Sequence, residues 1–165
     1  DLFTGTLREN ILIGAPSASA AALERAVDLA GVNVFAARHP DGLDMHIEER
    51  GRSLSGGQRQ AVALARCLIR APRIICLDEP TAYLDTMSER QLCDRLRQIA
   101  DAGITLFIAT HRDGPLDLVD RILLLDMGKL LMDGTKDVVV ARLKAGAKAG
   151  YKAQASGSGG SHVPG

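Results

Sequence analysis

The sequence predicts an α/β fold with parallel strands. Two short apolar runs, residues 74–77 and 105–109, flank an amphipathic segment at residues 87–100. A strand, a helix and a second strand in this order form a right-handed crossover unit, in which the strands are parallel. Both runs are continuously apolar, which predicts a sheet that is buried on both faces. Asp78 and Glu79 follow the first strand, at the edge where α/β sheets bind ligands.

Composition is consistent with one compact domain. The chain has 165 residues, of which 46% are hydrophobic, enough to bury a core. The 20 Lys and Arg residues balance the 20 Asp and Glu residues, which argues against nucleic-acid binding driven by bulk charge. No apolar run approaches the roughly 20 residues of a membrane span. Cys67, Cys76 and Cys93 lie in apolar patterns without a Cys-x-x-Cys pair, which predicts buried free thiols.

The first third of the chain is predicted to be mainly helical. Starting at Ser17, apolar residues recur at helical spacing and Gly31 is a suitable C-terminal cap. A short second helix is predicted at residues 32–38, followed by a turn at 39–42. Residues 43–51 are predicted to form a polar loop.

The middle and the end of the chain carry clearer signals. A helix is predicted after Gly57, because an apolar stripe runs to residue 69 and Pro72 stops it. Residues 122–125 and 130–132 are predicted to form a hairpin with a glycine turn. A final helix is predicted at residues 136–143. The Ala-, Gly-, Ser- and Lys-rich segment 144–165 is predicted to be disordered.

A Ser55-Gly56-Gly57 turn precedes the predicted middle helix. Free backbone N–H groups and the positive end of the helix dipole attract an anion there. Glycines allow close approach, Ser55 adds a hydroxyl donor, and Gln58 adds a side-chain amide. Taken alone, such a turn is more often a simple helix cap.

The carboxylates after the first strand fit hydrolytic chemistry. Asp78 suits a magnesium ion, and Glu79 is placed to deprotonate an attacking water. His111 follows the second strand and is expected at the same sheet edge, where its imidazole can donate to a γ-phosphate. The combination of these groups with Asp85 and the glycine turn is far more specific than any one of them.

Together these motifs resemble the nucleotide-binding domain of ATP-binding cassette (ABC) proteins. The similarities are, in chain order, Leu54-Ser55-Gly56-Gly57-Gln58 to the signature motif, residues 74–78 to the Walker B strand, Glu79 to the catalytic glutamate, Leu84-Asp85 to the D-loop and His111 to the switch histidine. Residues 2–11 and 47–51 resemble exporter segments, so the resemblance covers residues 2–143.

The resemblance implies a P-loop NTPase-like (RecA-like) parallel sheet core that is incomplete at the N-terminus, with an ABC helical subdomain. It implies three regions: a helical subdomain at 1–71, which ends in the signature motif and its helix, the C-terminal part of the ATPase core at 72–143, and a disordered tail at 144–165.

The resemblance also implies ATP and Mg²⁺ as ligands. In the family two such domains pair head to tail, so that Ser55, Gly57 and Gln58 touch the ATP held by the partner domain. Three further residues act on the domain's own ATP: Asp78 as metal ligand, and Glu79 and His111 as catalytic residues. Gly56 and Asp85 are also implied in nucleotide binding.

The implied setting is an exporter. The partners are a second nucleotide-binding domain and a transmembrane domain, at the cytoplasmic face of a bacterial inner membrane. Within exporters, residues 42–51, 58–66 and 118–122 look most like type I secretion ATPase/permeases, which export proteins or peptides.

The phosphate loop of the family does not occur in the printed sequence. No Gly-x-x-x-x-Gly-Lys-Ser/Thr motif is present, and the chain begins at Asp1 without a leader, so we expect a piece of a longer product with the Walker A loop and Q-loop upstream. By itself the piece is expected to be inactive. Two alternatives stay open: a segment of a soluble ABC ATPase, and a non-catalytic fragment that only docks to a partner.

Overall fold

The computed structural model describes residues 2–82 and 84–145. They fall into two compact units that divide after Leu118. The first unit contains, by type, the helices α1 Leu7–Leu12, α2 Ala20–Ala30, α3 Asn33–Ala36, α4 Gly56–Leu68 and α5 Thr86–Asp101, and the strands β1 Gly5–Thr6, β2 His46–Ile47, β3 Ile74–Asp78 and β4 Thr105–Ala109. The second unit contains β5 Arg121–Asp126, β6 Lys129–Thr135 and a helical segment at 136–145.

Helix α2 ends at Gly31 as predicted, but it begins at Ala20, three residues after the predicted start at Ser17. The Ser19 hydroxyl accepts a hydrogen bond from the Ala22 N–H at 3.2 Å, which satisfies one of the free donors of the first turn. Gly31 ends the helix in the left-handed region, at φ 67°, where a residue without a Cβ is least strained. Helix α3 is shorter than predicted and covers only four residues.

A small antiparallel ribbon joins two distant parts of the first unit. Strands β1 and β2 pair through Gly5 opposite Ile47 and Thr6 opposite His46. The prediction of a loop throughout residues 43–51 was therefore wrong. Strands of two residues are too short to show the apolar–polar alternation by which strands are recognised in a sequence.

Strands β3 and β4 form the predicted parallel pair, from Ile74 opposite Thr105 to Asp78 opposite Ala109. The predicted burial on both faces was wrong. Alternate side chains point to opposite faces, and only one face is covered by the described residues. Ile75 on the covered face is 5% exposed, whereas Ile74 and Phe107 are 56% and 52% exposed.

The three thiols are free, but the prediction that they are buried was wrong. Cys67 and Cys76 are exposed and Cys93 is partly buried. Cys76 lies on the uncovered face of β3, and Cys67 lies outside the buried stripe of α4. Desolvation raises the pKa of the Cys93 thiol.

One hydrophobic core holds the first unit together. It combines the buried faces of α1, α2, α4 and α5 with the covered face of the parallel pair. Its fully buried large side chains include Leu7, Ile11, Val32, Ile47, Val62, Leu96 and Ile99. Burying a side chain of this kind contributes about 1.5–3 kcal/mol, so the core fixes the positions of α4 and α5 relative to the parallel pair.

The second unit is a hairpin followed by a helix. Strands β5 and β6 pair antiparallel around Met127 and Gly128, both of which have positive φ, as predicted for a glycine turn. Val139 of the helical segment is 1% exposed. The predicted disordered tail lies outside the described residues from residue 146 onward, and residues 144 and 145 continue the helix.

An exposed ion pair links the two strands of the hairpin. Arg121 donates two hydrogen bonds to Asp133, at 2.7 and 2.8 Å, and thereby lowers the pKa of the Asp133 carboxyl. A carboxyl whose pKa is lower in the folded state stabilises the fold above its unfolded pKa and loses that contribution as the pH falls through the folded pKa. We therefore expect the hairpin to lose stability below about pH 4.

Urea unfolding at pH 6 and pH 2.5 should show this loss in the unmodified chain and a smaller one in Asp133→Asn. Asp94→Asn is the matched control, since Asp94 is more exposed and lies 3.9 Å from its cation, Arg97. Equal acid sensitivity of the unmodified chain and Asp133→Asn would contradict the prediction.

Within the described ranges, no helix combines the length and apolar character that a membrane span requires.

Candidate functional site

The carboxyl ends of β3 and β4 bring two of the predicted site residues into contact. The strands are parallel and in register to Asp78 and Ala109, so the residues that follow them emerge at one edge. Nδ1 of His111 lies 2.6 Å from Oε1 of Glu79. Thr110 donates a hydrogen bond to the second carboxylate oxygen of Glu79 at 3.3 Å.

The backbone of Glu79 is unusual. Its φ is 45°, a region that residues with a side chain rarely adopt and that is enriched at functional sites. Its N–H donates to the carbonyl of Ala109 at 2.8 Å, which extends the strand pairing by one bond. This turn gives the carboxylate its position beside His111.

The charge state of Glu79 follows from these contacts. The hydrogen bond from His111 is the main cause that lowers the pKa of the Glu79 carboxyl, because it favours the ionised form. The side chain of Glu79 is 34% exposed, so water reaches it. An ionised, hydrogen-bonded carboxylate in contact with solvent can accept a proton from water.

Asp78 is placed apart from this pair. It is the exposed last residue of β3, and its carboxylate forms no hydrogen bond or ion pair with any described residue. Its carboxylate therefore remains available to a cation. Among residues 2–82 and 84–145, no three His, Cys, Asp or Glu side chains cluster around a common point suited to a metal ion.

The start of α4 is a capped helix N-terminus. The Ser55 hydroxyl accepts from the Gln58 N–H at 3.2 Å, and the Gln58 side-chain oxygen accepts from the Ser55 N–H at 2.8 Å. This capping box leaves the Ser55 hydroxyl proton and the Gln58 NH₂ group free to donate. The backbone N–H groups of Gly56 and Gly57 have no acceptor among the described residues. The cap and an anion site are thus compatible.

Asp85 caps the next helix, α5. One of its carboxylate oxygens accepts from the N–H groups of Met87 and Ser88, both at 3.0 Å, and the other accepts from the Ser88 hydroxyl at 2.7 Å. The bonds from Ser88 are the main cause that lowers the pKa of the Asp85 carboxyl. A Cβ at Gly57 would lie 3.8 Å from the Ser88 hydroxyl oxygen. The starts of α4 and α5 are therefore neighbours.

A cavity of about 400 Å³ connects the glycine turn with the acidic strand end. Its lining includes Gly56, Gln60, Glu79, Pro80 and Leu84. Gly56, Glu79 and Leu84 thus line one cavity of the first unit, whereas Ser55, Gly57 and Gln58 line a second cavity together with Ser88 of α5.

Comparisons with known proteins identify the family of the chain. Residues 3–82 match the model of a protein family described as ABC transporter. The chain is 40% identical, over 81% of its length, to an export ATP-binding/permease protein of Rickettsia conorii. It is also 40% identical, over 86% of its length, to an ATP-dependent lipid A-core flippase of Xanthomonas oryzae.

The chain belongs to the ABC transporter family. A solved structure of a bacterial Atm1-family ABC exporter with ATP bound matches 98% of the chain at 34% identity, with a TM-score of 0.75. The match confirms the predicted α/β, P-loop NTPase-like fold. The chain spans about a quarter of the relatives' length: 23% and 24% of the two proteins above and 27% of the solved chain.

Sequence reasoning missed two side chains that contact the segment directly after Glu79. Gln60 of α4 donates to the carbonyl of Pro80, and Arg112 donates to the carbonyl of Thr81. A contact from a side chain to a backbone carbonyl does not depend on the residue type of the acceptor, so it leaves no pattern in the sequence. The only available signal was position, since Arg112 directly follows His111.

Proposed function

We propose that this chain is the ATP-binding and ATP-hydrolysing segment of an ABC exporter. The observation that carries the proposal is the 2.6 Å contact between Glu79 and His111 at the carboxyl edge of the parallel pair. Glu79 acts as the general base that accepts a proton from the attacking water. His111 holds Glu79 and is 80% exposed, so that its other ring nitrogen can donate to the γ-phosphate.

The other predicted residues fit nucleotide and metal. Mg²⁺ is usually held by one or two carboxylates together with substrate phosphates and water, and Asp78 supplies one exposed carboxylate of the right kind. When bound, Mg²⁺ neutralises charge on the phosphates. Asp78 would hold this ion.

The start of α4 serves as the phosphate-binding end. Gly56 and Gly57 offer two backbone N–H groups, and Ser55 and Gln58 offer side-chain donors beside them. The helix dipole adds a partial positive charge at this end. We propose that this surface meets the ATP of a second nucleotide-binding domain arranged head to tail, and that Asp85 shapes the same contact by fixing the start of α5.

The proposed partners are therefore that second domain and a transmembrane domain, at the cytoplasmic face of a membrane. The relatives are named as exporters of different kinds, an export permease and a lipid A-core flippase among them. Export as a general activity is what they support. Type I secretion of proteins or peptides stays a prediction from the sequence.

A chimera tests the proposal. In it, this chain replaces the matching segment of 134 residues in the Rickettsia conorii relative. We expect Mg²⁺-dependent ATP turnover within about tenfold of the unmodified relative, since every residue proposed to act is supplied by this chain. A folded chimera that binds ATP without turnover would overturn the proposal and favour the docking-only alternative.

The 165-residue chain by itself is the second arm of this test. Because its sequence has no phosphate loop, we propose that it binds Mg-ATP with a Kd above about 1 mM and does not turn it over. Isothermal titration calorimetry that gives a micromolar Kd would refute this part alone.

A further inference from the structure

Two side chains from different elements hold the loop that follows β3. Gln60 of α4 donates its side-chain N–H to the carbonyl of Pro80. Arg112 donates a guanidinium N–H to the carbonyl of Thr81. Pro80 and Thr81 are both buried, and Thr81 is fully so. We call this pair of contacts the carbonyl clamp.

Arg112 connects the clamp to two further elements. Its guanidinium lies 3.8 Å from the carboxylate of Glu89 in α5. Its own N–H donates to the Thr110 hydroxyl at 3.1 Å, and this hydroxyl donates to Glu79 at 3.3 Å. Arg112 thus touches the loop after β3, the loop after β4 and the helix that Asp85 caps.

The clamp acts on a backbone that needs support. Glu79 has a φ of 45°, and a side-chain-bearing residue keeps such a conformation only where its surroundings impose it. On one side the Glu79 N–H is bound to the Ala109 carbonyl. On the other side, the two carbonyls that follow Glu79 are the ones bound by Gln60 and Arg112.

We propose that Gln60 and Arg112 are positioning residues that hold the Glu79 carboxylate against His111. Their importance for hydrolysis rests on the function proposed above, because it is Glu79 that would accept the proton. Gln60 belongs to the helix that starts at the signature motif, and Glu89 belongs to the helix that starts at Asp85. A movement of either helix is therefore passed to Glu79 through the clamp.

The test uses the 165-residue chain without nucleotide. The imidazole ¹⁵N signals of His111, assigned with His111→Gln, report its contact with Glu79, and amide hydrogen exchange at Glu79 reports its backbone. We expect Arg112→Ala and Gln60→Met to move the His111 signals toward those of free imidazole and to speed exchange at Glu79 by about tenfold or more. Arg112→Lys, which keeps one donor, should retain part of the unmodified pattern.

Arg90→Ala is the matched control, since Arg90 is an exposed arginine of α5 with no partner among the described residues. It should leave both readouts unchanged. Unmodified His111 signals and Glu79 exchange in both Arg112→Ala and Gln60→Met would overturn the proposal. Should Arg112→Ala not fold, Gln60→Met and Arg112→Lys decide by the same readouts.

These measurements are independent of hydrolysis. If the chimera described above has no turnover, the clamp can still be shown in the free chain. If the clamp fails this test, Glu79 and His111 can still catalyse hydrolysis in the chimera.

Discussion

Replacing Glu79 by Gln is expected to lower the ATP turnover of the chimera by about 10²–10⁴-fold, the range by which general bases accelerate reactions. The amide cannot accept a proton from water, but it keeps the size of the side chain and an oxygen that accepts a hydrogen bond from His111. ATP binding should therefore change by no more than about threefold.

Phosphate release and nucleotide binding, measured on the same preparation, check this expectation. Glu24→Gln is the matched control, because Glu24 is an exposed carboxylate of α2 far along the chain from the site, and it should leave both unchanged. Turnover of Glu79→Gln within about threefold of the parent chimera would remove Glu79 from its proposed role. A loss of ATP binding together with turnover would assign Glu79 to binding instead.

Replacing Asn10 by Ala is expected to destabilise the first unit by about 3 kcal/mol, because several hydrogen bonds of a buried side chain are lost at once. The side chain is 1% exposed. Its oxygen accepts from the Phe3 N–H at 2.9 Å and from Arg66 at 2.6 Å, and its NH₂ group donates to the carbonyls of Phe3 and Thr6, both at 2.9 Å. The substitution also takes an acceptor from Arg66, whose pKa desolvation already lowers.

Urea unfolding followed by circular dichroism measures this loss in the 165-residue chain. Asn33→Ala serves as the comparison: its side chain makes one exposed hydrogen bond, to Asp28 at 2.8 Å, and its removal should cost no more than about 0.5 kcal/mol. A loss below about 1 kcal/mol for Asn10→Ala would mean that water replaces the missing contacts.

Several elements could be predicted because their signals are local. Helix α2 has apolar residues at helical spacing and a closing glycine, and the hairpin has a glycine at its turn. Strands β3 and β4 are short apolar runs bounded by polar residues and separated by a helix, and that order makes them parallel. The contact between Glu79 and His111 follows from the same reasoning, since both residues come directly after neighbouring parallel strands.

Burial was harder to predict, because it depends on what covers a surface. Ile74, Cys76 and Phe107 belong to runs that are typical of a fully buried sheet, yet they lie on a face that the described residues leave open. Arg66 shows the opposite case. An arginine in an amphipathic helix is usually solvated, but here the fold places Asn10 beside it, 56 residues away in sequence.

The amino-acid sequence by itself determined the family motifs, the parallel pair and the edge at which Glu79 and His111 meet, because helix caps, apolar runs and strand order act over short stretches of chain. Only the tertiary structure decided how Glu79 is held. The contacts of Gln60 and Arg112 with the carbonyls of Pro80 and Thr81 join residues 20 and 31 positions apart, and every residue presents the same backbone carbonyl, so no residue pattern marks where such a bond will form.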